Sequence, residues 1–203
     1  FFAPPRSSQW PHGEPGLDRA VTQPLFQRVL GSDAFARLAP AVRDLHAQSA
    51  PHQVCGTGTI RRGRHWLVPL LAWLTRMPPD GEGIDVTVRF VPDAVGETWQ
   101  RRFGVSPLVS RLSMRGPYLA ERLGVVGLRF TLEERNGRIY WQCVGGTVLG
   151  VLPLPGRLLD HVRCREREHR GRYEYLVDVM LPIMGPFIRY EGWLEPAGSS
   201  DDV

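Results

Sequence analysis

The chain has 203 residues, a formal charge of +4 and 25 basic side chains, every one of them arginine. The absence of lysine excludes a Schiff-base lysine, a phosphate-loop lysine and a lysine general base. The apolar share of 42% and charged share of 23% read as a soluble globular protein with a full core, while 22 glycines and 18 prolines point to many turns rather than long helices.

Residues 1–20, rich in Pro, Ser and Gly, read as a flexible arm. Thr22 can cap a first helix, with Pro24 in its opening turn and Gly31 after its end. A second helix is expected from Asp33, its cap, to Gln48. There Phe35, Leu38, Val42 and Leu45 fall at spacings of three and four and form one core-facing stripe, and Pro40 kinks or divides the helix. The most apolar run, Trp66 to Leu74, is shorter than the roughly 20 residues that span a bilayer and is interrupted by Pro69. A packed helix inserted near residues 65–76 is the first reading; Arg64, His65 and Arg76 on its flanks keep a membrane-surface helix as the lesser one.

After residue 50 the period changes. Ile84, Val86, Val88 and Phe90 alternate with polar residues, as do Val126, Leu128, Phe130 and Leu132, and again Tyr173, Tyr175, Val177, Val179 and Leu181. Arg135-Asn136-Gly137 is a hairpin signal, and Pro92–Gly96, Arg170-Gly171 and Pro182–Gly185 mark further turns. Eight to ten strands are expected between residues 52 and 195. The fold class is α+β, mainly β: an antiparallel curved sheet or closed, lipocalin- or calycin-like β-barrel, because closure removes sticky edges. The two N-terminal helices and the inserted helix pack it. Residues 21–197 then form one domain and 198–203 a frayed tail.

Strand parity selects the candidate site. In Glu97-Thr98-Trp99-Gln100-Arg101-Arg102-Phe103, Trp99 and Phe103 should point inward, so Glu97 and Arg101 should too, and Arg101 is the partner expected for the inward carboxylate. Ser110 shares a face with Leu108, Leu112 and Met114, and Glu166 shares one with Val162 and Cys164. Alternation around Tyr190 does not decide its face. His46 ends the second helix beside Leu45 and Val42. Catalytic candidates are thus Glu97, Glu166 and Tyr190; ligand-binding candidates are Trp99, Arg101, Phe103, Ser110 and His46.

Other chemistries find no support. Cys55, Cys143 and Cys164 are an odd set without CxxC or CxxH spacing, read as reduced, buried thiols of a cytoplasmic protein. The remaining histidines lack metal-ligand spacing, and no GxGxxG or GxSxG motif is placed for its chemistry, so neither metal nor cofactor is expected. Arg163 to Arg172 is interrupted by Glu166 and Glu168 and reads as paired strands with cross-strand charges, not a nucleic-acid surface.

Several segments resemble the DUF4166 domains, a bacterial family of unknown function. They are Pro24-Leu-Phe-Gln-Arg-Val-Leu-Gly, Arg43-Asp-Leu-His46, Gly96-Glu-Thr-Trp-Gln-Arg-Arg-Phe-Gly104, Leu149-Gly-Val-Leu-Pro-Leu-Pro155 and Tyr190-Glu-Gly-Trp-Leu-Glu-Pro196. The resemblance covers residues 24–196 and supplies no reaction. Members sometimes adjoin a nicotinamide-dependent, saccharopine-dehydrogenase-like domain, which implies an oxidoreductase as one partner. Three functions follow as expectations. The first is a barrel that binds a largely apolar small molecule with one anion or carbonyl held by Arg101. The second is a cofactor-free cyclase, isomerase or dehydratase acting on a polyketide-like natural-product intermediate. The third is an accessory domain docked on an oxidoreductase. A homodimer is also open; a membrane span is not.

Overall fold

The computed structural model describes residues 23–197. The expected N-terminal arm, Thr22 cap and frayed tail lie outside the described residues. Three short helices come first: α1 (Leu25–Leu30), α2 (Ser32–Ala36) and α3 (Pro40–His46). The expected second helix is therefore two. Pro40 divides it by occupying the first turn of α3, where its missing N–H costs nothing. Asp33 lies inside the first turn of α2 and caps nothing; Gly31, at φ 84°, precedes that helix.

Helices of five to seven residues do not persist alone in water, so tertiary packing holds them. Leu25, Phe26, Phe35, Leu38, Val42 and Leu45 are all buried. Each contributes about 1.5–3 kcal/mol by leaving water. Three bonds dock the helices on strand ends: Ala39 N–H to Gly137 O at 3.0 Å, Ala41 N–H to Glu168 Oε2 at 2.8 Å, and Arg37 to Glu134 at 2.8 Å.

Eleven strands follow: β1 (His52–Arg62), β2 (Gly81–Pro92), β3 (Gly96–Phe103), β4 (Ser106–Arg115), β5 (Tyr118–Leu123), β6 (Val126–Arg135), β7 (Arg138–Val148), β8 (Leu152–Pro155), β9 (Val162–His169), β10 (Arg172–Leu181) and β11 (Gly185–Pro196). Every pairing is antiparallel. The order runs β6-β5-β4-β3-β2-β1-β11-β10-β9-β7, and β6 pairs with β7 to close a ten-stranded barrel, with β8 added on the flank of β7. Closure leaves few free edges, as alternation along so many strands requires. The β6–β7 and β9–β10 turns carry consecutive positive φ angles at Asn136-Gly137 and Arg170-Gly171, the geometry of tight hairpins.

Antiparallel order sorts the connections between two barrel ends. The β2–β3, β4–β5, β6–β7 and β9–β10 turns lie at one end, where α1–α3 form a plug. The β1–β2, β3–β4, β5–β6, β7–β8 and β10–β11 connections lie at the other. The first of these holds α4 (Val68–Thr75), which stops at Arg76 in the left-handed region. This is the expected inserted helix, but its packing is narrow: Val68 and Ala72, one turn apart, are its buried residues. No helix of the described residues is long and apolar enough to cross a membrane.

Candidate functional site

Strand parity carries side chains into the barrel as the alternation requires. Glu97, Trp99, Arg101 and Phe103 of β3 are all buried, as are Ser110 of β4 and Glu166 of β9. Tyr190 of β11, whose face alternation alone did not decide, is buried too and meets Phe103 edge-on at 5.6 Å between ring centroids. Cys55 is a correction: it is exposed, because Val54 takes the inward position on β1. Cys143 is buried and Cys164 half-buried.

The expected Glu97–Arg101 pair does not form. Four residues along one strand separate the two Cα atoms by about 13 Å, whereas neighbouring strands lie about 4.8 Å apart. Arg101 turns across the sheet instead. Its Nη2 donates to Ser110 Oγ on β4 at 2.8 Å and to Glu121 Oε1 on β5 at 2.7 Å. Burial opposes the cation, and the Glu121 carboxylate more than offsets it, so Arg101 stays protonated. The guanidinium also lies 4.7 Å from the centre of the Trp99 ring.

Glu97 finds a different partner, accepting a 2.8 Å bond from Trp99 Nε1. Burial pushes its carboxyl above the ordinary range; nearby His46 and the indole bond oppose that rise. Trp99 is thereby fixed at its edge and held among packed rings. Phe26 of α1 stacks at 6.0 Å and His46 of α3 at 6.1 Å, while Phe90 and Trp141 meet it edge-on at 5.1 and 5.9 Å.

His46 is inserted from the helical plug. Its ring stacks on Phe26 at 3.7 Å, and Nε2 lies 2.6 Å from Glu166 Oε2. Tyr173 completes this corner, edge-on to His46 at 6.3 Å. Burial, then the Glu166 carboxylate, pushes its hydroxyl well above the ordinary tyrosine range.

Between these groups lies a cavity of about 60 Å³. Trp99, Arg101, Phe103, Glu166 and Tyr190 line it. Ser110 reaches it through Arg101, Glu97 through Trp99 and His46 through Glu166. Its volume suits a few waters or a compact group, well below the roughly 300–1,000 Å³ of a drug-sized site. Three inward donors around it make no hydrogen bond within the protein: Arg101 Nε, Trp141 Nε1 and Tyr175 Oη. His46 Nδ1, behind Glu166, is also unpartnered. Burial raises the hydroxyls of Tyr175 and Tyr190 and the thiol of Cys164, so all three stay protonated at neutral pH. Among the described residues no three His, Cys, Asp or Glu side chains gather as a metal site.

Sequence reasoning missed Glu121, Trp141 and Tyr175 as site residues. The signal was present: Leu119, Glu121 and Leu123 share a face of β5, and Ile139, Trp141 and Cys143 share one of β7. Tyr175 stands in an alternating run, and alternation there signals only a strand. Its hydroxyl lies 2.7 Å from where a β-carbon would sit on either Gly58 or Gly192, so the glycines make the room it occupies.

Fold and site together define a closed antiparallel β-barrel, plugged by helices at one end, with a buried polar network around a small cavity. A family model described as a domain of unknown function (DUF4166) matches residues 38–194, and the chain belongs to that family. No curated protein matches the chain.

Proposed function

We propose that the barrel interior binds a compact, mainly apolar molecule, or the compact end of a longer one, through a neutral acceptor oxygen. The supporting observation is the set of three unpartnered donors, on Arg101, Trp141 and Tyr175, around one cavity. Buried polar atoms without partners are rare, and several at one place mark a site where an acceptor belongs. Arg101 is already neutralised by Glu121, so a carbonyl or ether oxygen fits better than a free anion. Aromatic and aliphatic walls (Val88, Phe90, Trp99, Tyr190) would hold the apolar part.

The test is a thermal-melting panel of neutral apolar ketones, lactones and esters, followed by Trp emission for any compound that raises Tm. A rise that disappears in Val88→Phe, which fills the cavity, supports binding inside the barrel. A rise that persists in that variant places the ligand elsewhere and overturns the reading.

A second reading is a cofactor-free isomerase, cyclase or dehydratase. The contact between His46 and Glu166 favours it, because it couples a cavity-lining carboxyl to an imidazole with one unpartnered nitrogen. Tyr190, kept protonated, would serve as a donor. Glu97 is held on Trp99 away from the lining and is the weaker acid-base candidate. Turnover lost in Glu166→Gln, with ligand-induced stabilisation retained, would support the enzyme; equal turnover would remove Glu166 from it.

A further inference from the structure

Large exposed hydrophobic side chains are distributed unevenly over the barrel. Among the described residues, eight of fifteen sit in the connections at the α4 end, and only Val95 sits in a turn at the helix-plugged end. They come from separate loops. Val105 tips the β3–β4 turn at 95% exposure, Val151 the β7–β8 turn at 82%, and Ile183 the β10–β11 turn at 102%. Trp66 and Trp73 flank and ride on α4 at 78% and 75%. Antiparallel topology returns every one of these connections to the same rim, so apolar tips from four parts of the chain share one end.

Charge at this rim leans positive around α4. Residues 61–76 hold four arginines and no carboxylate. Arg61 is tied to Glu82 and Arg62 to the Met77 and Pro78 carbonyls, with Asp80 accepting its backbone N–H. Arg64, Arg76 and Arg157 remain exposed and form no ion pair among the described residues. Asp85 and Asp160 are exposed carboxylates there without an ion pair among the described residues.

We infer that the α4 end is a membrane-docking face that dips into the headgroup region of an anionic bilayer. A protein partner is ordinarily met by a contiguous, close-packed patch with a polar rim. Here isolated aliphatic tips protrude almost fully, with two tryptophans and unpaired arginines among them. That combination matches a bilayer interface, where aliphatic groups enter the acyl boundary, indoles sit at headgroup level and arginines meet lipid phosphates. The barrel would stand on the membrane with its helical plug facing away. This inference does not depend on the interior binding site.

Flotation of the purified full chain with phosphatidylcholine vesicles, with and without phosphatidylglycerol, tests it. The chain should float with the anionic vesicles, release in high salt and show a blue shift in Trp emission. Ile183→Asp and Trp73→Glu alter exposed positions; each should retain the wild-type Tm and lower vesicle binding about tenfold or more. Arg64→Glu with Arg76→Glu should weaken anionic binding further. Failure to float with anionic vesicles at low salt would overturn the inference, as would undiminished binding by Ile183→Asp and Trp73→Glu together. Dimerisation without vesicles that these two changes abolish would assign the face to a second copy and also overturn it.

Discussion

Arg101 bonds Glu121 two strands away at 2.7 Å and leaves Glu97, on its own strand, to Trp99. Two polar anchors thus occupy the barrel where the β3 sequence alone offers one. Ser110 lies between the partners on β4 and accepts from the same Nη2. The cation is therefore held across β3, β4 and β5, which makes it a brace of the barrel wall as well as part of the cavity lining.

Breaking this pair from either side should be costly. Arg101→Met leaves Glu121 buried without its cation, and Glu121→Leu leaves Arg101 uncompensated; each is expected to cost about 3–5 kcal/mol in denaturant melts. The double variant Arg101→Met, Glu121→Leu removes both charges and should lie closer to wild type than either single change. A sum of the two single losses in the double variant would mean the residues act independently.

Glu97 sets a pH dependence whose sign follows from burial. Its folded carboxyl is raised above its unfolded value, chiefly by desolvation. The folded state therefore holds this proton more tightly. The resulting stability is complete below the ordinary glutamate range and is lost as pH rises through the raised folded value. Glu97→Gln keeps an acceptor for Trp99 Nε1 without a charge to bury. Its Tm relative to wild type should improve as pH is raised from acid to neutral, and a constant difference across that range would refute the assignment.

Asp93 behaves in the opposite sense. Its carboxylate takes bonds from Arg111 and from the Val95 and Gly96 N–H groups, which close the β2–β3 turn. The Arg111 bond foremost holds its pKa down to about 2. Its contribution is present above the ordinary aspartate range and fades as pH falls through 2. Asp93→Asn should lower Tm at neutral pH and converge with wild type in strong acid. The half-exposed pair keeps the effect small.

The barrel was legible because alternation is a local property with a global consequence. Ile84 to Phe90 and Tyr173 to Leu181 each declare one inward face, and enough such faces in antiparallel order must close. The inward burial of Glu97, Arg101, Ser110 and Glu166 was legible on the same ground. Partner identity was not, because pairing across strands depends on register, and nothing within β3 reveals that Glu121 comes to lie two strands away. His46 joining Glu166 was hidden for a related reason: 120 residues separate them, and only docking of α3 on the β9–β10 end brings them together. The exposed tips at the α4 end were illegible because a lone Val or Ile in a turn looks like any other turn residue until topology gathers the turns on one rim.

Tyr175 offers a direct check on the unpartnered donors. Its hydroxyl is buried without a hydrogen bond, a state that costs about 1–3 kcal/mol. Tyr175→Phe should therefore leave the ligand-free protein as stable as wild type or more so. The same change should reduce the Tm gain from any cavity-bound carbonyl compound. A clear loss of stability without ligand would show that the hydroxyl is already satisfied.

Gly58 and Gly192 face each other across β1 and β11, both beneath Tyr175. A β-carbon at Gly58 would lie 2.7 Å from the Tyr175 hydroxyl and 3.1 Å from the Glu191 carbonyl oxygen. At Gly192 it would lie 2.7 Å from the same hydroxyl but only 2.2 Å from the Thr57 carbonyl oxygen. The first clash is mainly with a side-chain end that can be removed, the second with backbone that cannot. Gly58→Ala should cost about 1–3 kcal/mol as an overpacked core position, and adding Tyr175→Phe should recover much of the loss. Gly192→Ala should cost more, and Tyr175→Phe should recover little of it. Denaturant melts of the four variants measure both couplings. Equal recovery at the two glycines would mean that Tyr175, rather than the β1–β11 backbone contact, sets the demand for glycine at both.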